Sequence, residues 1–524
     1  MPTSISRDTW IEIMRYFAIS LTDDEQSEIK VKRRLLLSLA LTTRDLVDIA
    51  LDELWKSMTT LEPIVQVINP TSTRTKSRET DARLTFNNNY WEIGLSLSLR
   101  AEEIYPRIFA YLSRIHYLQF ATFPSLREYT LWHALSAFGQ SMNLPVPRLR
   151  ALSLNTGGVG PTSAYSIIPI LSPNLRTLTL HDQSMGSGGE IVSAILLDIL
   201  KHRSITVSKI EYKGLTSSRI ACRILGFPAL RSTVIPTQAK GTGITDTQLN
   251  FFQGKASLKK LDIHLSLFAV PQHARDWMNS LISLSDVTLR GTLHNILRVL
   301  QSTPIAAISS LGLYIERDTP RPQDIVQVIQ SINTYFPYLH NLHLHNSAYI
   351  TPLTLTDILV LRGKPLQTLV LHRCLDLSPG SEKNDLISTI TVWPKLQRLY
   401  IVTYNDSVLA DPKVVLPYYA RHATFLHEAT LPLQLAPLSE SLYTGFDGNV
   451  CPLQTLGVQT ITQSFNTQGV LEVAQNILAL FPRLTTITSP ENNTPQALQD
   501  LQATIKIFRR LLASPPRRAD CLYL

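Results

Sequence analysis

Cysteine is scarce in this 524-residue chain, and its four copies lie far apart. Cys222, Cys374, Cys451 and Cys521 form neither a closely spaced metal-ligand pair nor the framework of a small disulfide-rich domain. We therefore expect these thiols to be free and mostly buried, as they are in proteins of a reducing compartment.

Long apolar runs are also missing. No uncharged apolar stretch approaches the roughly 18 residues that span a bilayer. The first residues, MPTSISRD, lack the basic and then apolar order of a secretory signal. We expect a protein of the cytoplasm or nucleus with no membrane partner.

Sequence motifs of catalysis are absent too. No Walker Gly-Lys-Ser/Thr ending, G-x-S-x-G elbow, H-E-x-x-H pair or catalytic Cys/His signature occurs. We predict a protein that is not an enzyme and needs no cofactor. An enzyme on an unrecognised α/β fold is an alternative, but a doubly wound sheet needs longer apolar strands than this sequence offers.

Acidic residues are outnumbered, giving a formal net charge of +8 and a pI of about 9.2. The excess of basic residues is spread thinly and is densest at 30–34, 74–83 and 517–518. No basic stripe with interleaved aromatic residues is found, so the pattern favours a solvated basic surface over a nucleic-acid partner.

The main positive feature is a recurring L-x-x-L-x-L pattern, often preceded by proline. Clear copies include SPNLRTLTL at 172–180 and FPYLHNLHLH at 336–345. Successive copies lie 23 to 34 residues apart, which is the period of leucine-rich repeats. The first apolar position of each copy falls at 115, 149, 175, 207, 230, 258, 284, 308, 339, 366, 396, 426, 453 and 484.

Each copy predicts one short strand, because its last two apolar positions are two residues apart and share a face. Helical spacing predicts helices between copies, as at 188–202, 292–302, 323–336 and 469–481. One strand and one helix cannot bury their own apolar sides, so the units must stack. We predict an irregular α/β solenoid over 101–514, closed by a capping helix at 495–514.

The first 60 residues differ from the repeats. Residues 5–17 place Ile5, Trp10, Ile13, Met14 and Phe17 at helical spacing behind a plausible N-cap, Ser6. A connector at 18–34 follows, then a short apolar stretch at 36–40 and a second helix at 46–55. A helical module of this size is weakly stable alone, so a partner that covers its apolar surface would explain it.

These residues, with LLSLALTTR at 36–44 and ALDELWKSMTTLEPIVQVI at 50–68, resemble an F-box. The whole chain resembles the F-box/leucine-rich-repeat proteins of mushroom-forming fungi. The resemblance implies an SCF-type role, in which the F-box binds the Skp-type adaptor of a cullin ubiquitin ligase and the repeats bind a protein substrate. It implies that the adaptor interface or the F-box core includes Trp10, Ile13, Phe17, Leu36, Leu39 and Trp55.

Two alternatives to that role remain open. Ser6, Met14 and Thr43 depart from the usual F-box residues, which keeps a leucine-rich-repeat scaffold without a ubiquitin role in play. The module would also serve as a plain N-terminal cap on the repeats. The predicted organisation is an F-box at 1–60, a connecting segment at 61–100 with a loop at 70–83, the solenoid, and a tail at 515–524.

A candidate substrate surface comes from the residues that alternate with the leucines, which we expect on the concave, solvent side. Two imidazoles on one face, His343 and His345, also fit a zinc site, with His372 one repeat later, but no further ligand is evident. We therefore favour protein binding, since rigid repeat surfaces of this kind bind proteins. The predicted substrate-binding residues are Lys260, Asp262, Tyr314, His343, His345, Arg398 and Tyr400, flanked by His264, Thr288, Arg290, Asn341 and His372.

Overall fold

The computed structural model describes most of the repeats and the N-terminal helices. The residues it describes are 6–20, 26–42, 44–60, 63, 101–120, 146–157, 164, 167–168, 170–182, 187–236, 257–268, 276–301, 307–316, 322–347, 353–375, 377, 382–403, 409–435, 451–461, 467–489 and 496–513. The predicted loop at 70–83 and the tail at 515–524 lie outside them.

Parallel strands in chain order form the framework of two compact units. The N-terminal unit, residues 1–258 and 266–269, contains β1 Ser57–Met58, β2 Tyr117–Phe120, β3 Ala151–Asn155, β4 Thr177–Asp182, β5 Lys209–Gly214 and β6 Ser232–Ile235. The C-terminal unit, residues 259–265 and 270–524, contains β7 Lys260–His264, β8 Asp286–Gly291, β9 Ser310–Ile315, β10 Asn341–Asn346, β11 Thr368–Leu375, β12 Arg398–Thr403, β13 Glu428–Leu435, β14 Thr455–Ile461 and β15 Thr486–Thr488.

The strands from β2 to β15 begin where the repeat pattern places them. Each starts two residues after the first apolar position of its copy, as β10 starts at Asn341 after Leu339. All fourteen of those apolar side chains are at most 1% exposed. The α/β class and the register of the repeats are therefore as predicted, and each unit is consistent with a repeat solenoid.

Backbone hydrogen bonds at the start of each strand keep neighbouring repeats in register. The carbonyl oxygen of Arg150 accepts from the amides of Arg176 and Thr177 at 2.8 and 2.9 Å. The carbonyl of Arg176 accepts in the same way from Ser208 and Lys209. Because the pattern recurs from repeat to repeat, equivalent residues lie side by side along the sheet.

Helices connect many of the strands and bury their apolar faces. In Leu293–Leu300, the side chains of Leu293, Ile296, Leu297 and Leu300 are buried, and Thr292 caps the first turn. The described helices are α1 Arg7–Arg15, α2 Gln26–Thr42, α3 Arg44–Lys56, α4 Ala101–Leu112, α5 Ser187–His202, α6 Ser218–Leu225, α7 Leu293–Leu300, α8 Pro322–Tyr335, α9 Leu355–Leu359, α10 Glu382–Val392, α11 Pro412–His422, α12 Thr467–Leu480 and α13 Gln496–Ala513.

The N-terminal helices α1 to α3 pack around a small apolar core. Ser6 caps α1 as predicted, since its hydroxyl accepts from the Thr9 amide. The prediction of a connector through residue 34 is wrong, because α2 begins at Gln26. Ile29 lies seven residues before Leu36 and joins it in the core, so the helical face extends into the charged stretch.

A strand that the sequence did not predict joins these helices to the repeats. β1 follows α3 directly and pairs with β2 through Ser57–Tyr117 and Met58–Leu118. The Trp55 ring packs against Tyr111 of α4 with centroids 4.7 Å apart. The helices are therefore joined to the repeats both by the pairing of β1 with β2 and by the contact of Trp55 with α4.

The predicted capping helix follows β15, the last strand of the C-terminal unit. In α13, Leu498, Leu501 and Ile505 are buried. The Gln502 side chain accepts from the Ile487 amide and donates to the Thr485 carbonyl. Its amide group thus satisfies edge groups of β15 that a further strand would otherwise bond.

None of the described helices combines the length and apolarity needed to cross a membrane. The predicted boundaries at residues 60 and 100 remain predictions. The helices at 7–56 belong to the same compact unit as β1 to β6.

Candidate protein-binding surface

A row of stacked rings crosses four neighbouring strands of the C-terminal unit. Arg290, Tyr314, His345 and His372 are consecutive register partners on β8 to β11. The Arg290 guanidinium lies 3.9 Å from the centre of the Tyr314 ring. The ring centroids are 5.1 Å apart for Tyr314 and His345 and 4.3 Å apart for His345 and His372.

Tyr400 extends this row to β12. Its register partner is Val370, and its ring reaches His372 diagonally with centroids 6.0 Å apart. We call Arg290, Tyr314, His345, His372 and Tyr400 the aromatic ladder. Its members come from five repeats, and each is half-buried.

One end of the aromatic ladder is held by an ion pair. The Asp262 carboxylate accepts two hydrogen bonds from Arg290, at 2.8 and 2.9 Å. His264 bonds Glu316 at 2.9 Å. Asp262 is 8% exposed and His264 is 3% exposed, so the prediction that they face solvent is wrong. Because their polar groups are paired within the chain, they position neighbouring side chains.

Beside the ladder, the first residues of the strands form a second row, which carries two ion pairs. Lys260 pairs with Asp286 at 2.7 Å, and Arg398 pairs with Glu428 at 2.7 Å. The predicted substrate-binding residues include both cations but neither acid, although each acid occupies the same repeat position as its partner. The side chains of both pairs are partly exposed, so a charged group of a ligand can replace either partner in the ion pair.

A groove of about 260 Å³ opens along these two rows. Among the predicted substrate-binding residues, it brings together His343, His345, Arg398 and Tyr400. It does not include Lys260, Asp262 or Tyr314. The other lining residues are Val370, His372, Leu399, Glu428, Ala429, Thr430 and Thr455.

At two places in the row that contains His343, a glycine leaves room for the threonine side chain of the neighbouring strand. A Cβ on Gly312 would lie 2.8 Å from the Thr288 hydroxyl oxygen, and one on Gly457 would lie 2.2 Å from that of Thr430. Both distances are shorter than real Cβ contacts. The threonine side chains thus lean over the glycines, a tertiary contact that no local motif predicts.

Burial keeps the ladder histidines neutral near pH 7. It lowers the pKa of His372 to about 4, helped by the nearby His345 and Arg373. Burial and the charges of Arg290 and Arg373 also lower the pKa of His345. The Nδ1 atom of His372 is buried and has no hydrogen-bond partner in the described part of the chain. A ligand in the groove would therefore meet neutral imidazole rings.

This burial predicts a pH dependence of stability. In the unfolded chain the pKa of His372 returns to about 6.5. Between that value and about 4 the unfolded state binds more protons, so stability falls as pH is lowered through this range. Above pH 6.5 both states are neutral, and His372 contributes no slope.

We expect His372→Gln to reduce the fall in the free energy of unfolding between pH 7 and pH 5, as measured by urea denaturation. His202→Gln is the matched control, because His202 is exposed on α5. A wild-type slope in His372→Gln would show that this imidazole is solvated in the folded protein.

The residues predicted for the adaptor interface or F-box core differ in their burial. Leu36 is fully buried in the core of the helical module, whereas Trp55 is 8% exposed and packs against Tyr111. Their direct contact with a partner is excluded in this conformation, because the chain's own side chains cover them. Partly buried residues packed on the helical core include Trp10, Phe17 and Leu39, and Ile13 is half-buried.

The most exposed apolar side chains of the module were not singled out from the sequence. They lie on α2 and just after α1, and are Tyr16, Val31, Leu35, Leu37 and Leu41, with Leu41 80% exposed. The signal was present in the run LLLSLAL, which has more leucines than one buried helical face can hold.

Neither unit offers a metal site among the residues that the structure describes. No group of three or more His, Cys, Asp or Glu side chains there is arranged to hold a metal ion. The ladder imidazoles stack face to face, which directs their nitrogens away from a common point.

Comparisons with known proteins were made for the whole chain. No model of a known protein family matches it, and no curated protein matches it. Among solved structures it is similar to a chain of the Rad7 and Elc1 complex from yeast, with 14% identity, covering 74% of this chain and 94% of that chain, at a TM-score of 0.33. Similarity at this level establishes neither a shared function nor a shared partner.

Proposed function

We propose that the protein is a non-catalytic substrate adaptor of an SCF-type ubiquitin ligase, acting in the cytoplasm or nucleus. Helices α1 to α3 bind a Skp-type adaptor, which links the chain to a cullin. The aromatic ladder of the C-terminal unit, with the groove beside it, binds a protein substrate. Holding both on one chain makes ubiquitin transfer effectively intramolecular, so no residue of this protein performs the chemistry.

The observation that carries the proposal is the uncovered apolar surface of α2. Leu37 and Leu41 are one helical turn apart, as are Val31 and Leu35, and all four are exposed. Apolar surface residues scattered singly are ordinary, whereas two exposed apolar pairs on one 17-residue helix are typical of interfaces. The module also resembles an F-box in sequence, which specifies the kind of partner.

The substrate half of the proposal rests on the aromatic ladder. Tyrosine and arginine are frequent anchors in protein interfaces because they combine apolar area with hydrogen-bonding groups. The rings of the ladder are held by stacking on their neighbours, and Arg290 is held by Asp262. Little side-chain entropy is then lost when a partner binds.

The test is a titration of a Skp-type adaptor against the full chain by calorimetry. Wild type is expected to bind at micromolar concentration or tighter. Leu37→Asp combined with Leu41→Asp should weaken binding at least about tenfold, since charges would enter an apolar interface. Ile282→Asp is the matched control, because Ile282 is an equally exposed apolar residue outside the module.

Absence of binding by the wild-type chain at tens of micromolar would contradict the proposal. It would favour a leucine-rich-repeat scaffold in which α1 to α3 only cap the repeats. The pairing of β1 with β2 and the contact of Trp55 with Tyr111 are the observations that support that second function.

A further inference from the structure

Basic residues line up where the strands of the N-terminal unit begin. The backbone bonds at the strand starts link the residues immediately before β1 to β5, which are Lys56, His116, Arg150, Arg176 and Ser208. Arg231 continues the row, because its amide donates to the Ser208 carbonyl. Neighbouring strands are about 4.8 Å apart, so side chains on adjacent members of the row lie within reach of one ligand.

Part of this row forms the wall of a cavity of about 590 Å³. The cavity is lined by His116, Arg148, Arg150, Asn174 and Arg176. The loop that carries Asn174 is fixed, since its side-chain amide donates to the Pro147 carbonyl at 2.8 Å. We call this cavity the arginine pocket.

The charge of the arginine pocket is not neutralised by carboxylates in the described part of the chain. Arg176 donates to the Thr206 hydroxyl and to backbone carbonyls, which are neutral acceptors. Arg148 and Arg150 form no ion pair there. Lys56, at the end of the row, does pair with Glu53 at 3.0 Å.

His116 reports the positive potential of the pocket. Burial lowers its pKa, and the charges of Arg150, Lys56 and Arg148 lower it further, while Asp52 opposes them. Basic charge at this position is not a general property of the repeats. In the C-terminal unit the equivalent positions are mostly neutral, being Lys259, Ser285, Ser309, His340, Gln367, Gln397, His427, Gln454 and Thr485.

We propose that the arginine pocket binds a phosphate monoester carried by a protein segment. Planar guanidinium groups donate paired hydrogen bonds to phosphate oxygens. A carboxylate offers two oxygens and one charge, whereas a phosphate monoester offers three oxygens and a charge near −2. Three arginines around one cavity match the phosphate better. This inference is independent of the proposed ligase role.

The pocket favours a phosphoprotein over a nucleic acid. None of the lining residues that the structure describes is a Phe, Tyr or Trp on which a base could stack. The basic row is also interrupted at Ser208, so it does not offer a continuous track for a phosphate backbone. A localised cavity with concentrated charge suits a single phosphorylated side chain.

The experiment uses the full chain and three probes at physiological ionic strength. These are a short neutral peptide with one phosphoserine, the same peptide with serine, and inorganic phosphate. Fluorescence anisotropy of the labelled peptides measures affinity directly, and phosphate is tested as a competitor. Arg148→Gln with Arg150→Gln removes two pocket charges. Arg298→Gln with Arg483→Gln removes two exposed charges from the other unit.

We expect the phosphopeptide to bind at least tenfold more tightly than the serine peptide, with phosphate competing. The pocket variant should lose at least tenfold in phosphopeptide affinity, and the control variant less than twofold. Equal binding of the two peptides, or equal losses in both variants, would overturn the proposal. So would a labelled oligouridylate that binds more tightly than the phosphopeptide and loses affinity in the pocket variant.

Discussion

Replacing Leu342 with aspartate is expected to unfold the C-terminal unit at moderate temperature. Leu342 is fully buried on β10, and its register partners Leu311 and Leu369 are fully buried as well. A carboxylate there has no partner, so it must either pay desolvation or take up a proton, and either costs several kcal/mol. Truncating a core leucine alone already costs about 2–5 kcal/mol.

The melting temperature of Leu342→Asp should therefore fall by roughly 10 °C or more, as followed by circular dichroism. Ile282→Asp introduces the same group at a site that is 76% exposed, so its melting temperature should stay within about 2 °C of wild type. Equal melting of the two variants would mean that Leu342 is not in the core and that the repeat register is wrong.

The second large effect is expected at the ion pair that ends the aromatic ladder. Asp262→Asn removes the charge that faces Arg290, whose guanidinium stays half-buried over Tyr314. An unpaired, partly buried cation costs more than the pair itself contributes. Because the Arg290 side chain retains 21% exposure, we expect a loss of about 1–3 kcal/mol.

Glu428→Gln provides the comparison within the same sheet. It breaks a pair with Arg398 that has one hydrogen bond, at 2.7 Å, and whose side chains are 47% and 60% exposed, so the loss should stay below about 1 kcal/mol. Urea denaturation of the full chain measures both variants. If Glu428→Gln destabilises as much as Asp262→Asn, burial does not distinguish the two pairs.

The repeat pattern determines much of the fold without help from the structure. Alternating buried and exposed residues after a buried apolar residue predict a strand from a few neighbouring residues, and fourteen copies repeat this pattern. The same holds for the Ser6 cap and for the apolar face of α13, which are encoded within a few residues. Locally encoded features of this kind are the ones that the sequence predicted correctly.

Other features depend on residues far apart in the chain. The extension of α2 to Gln26 is favoured by packing of Ile29 on the module core, and β1 exists only because β2 lies beside it. Two residues cannot form a strand without a partner, so no local pattern reveals it.

The candidate surfaces show the same division. The sequence by itself determined which positions alternate with buried leucines, and hence that Tyr314, His345 and Arg398 lie on the polar face. Only the tertiary structure decided that Asp262 and His264 are buried and paired, because their partners Arg290 and Glu316 lie one and two repeats away. Only the register of the strands gathers the arginine pocket, since residues 116, 150 and 176 meet through backbone bonds between neighbouring repeats. The local pattern therefore sets the direction of a side chain, whereas contact across strands sets its exposure, its pairing and its charge environment.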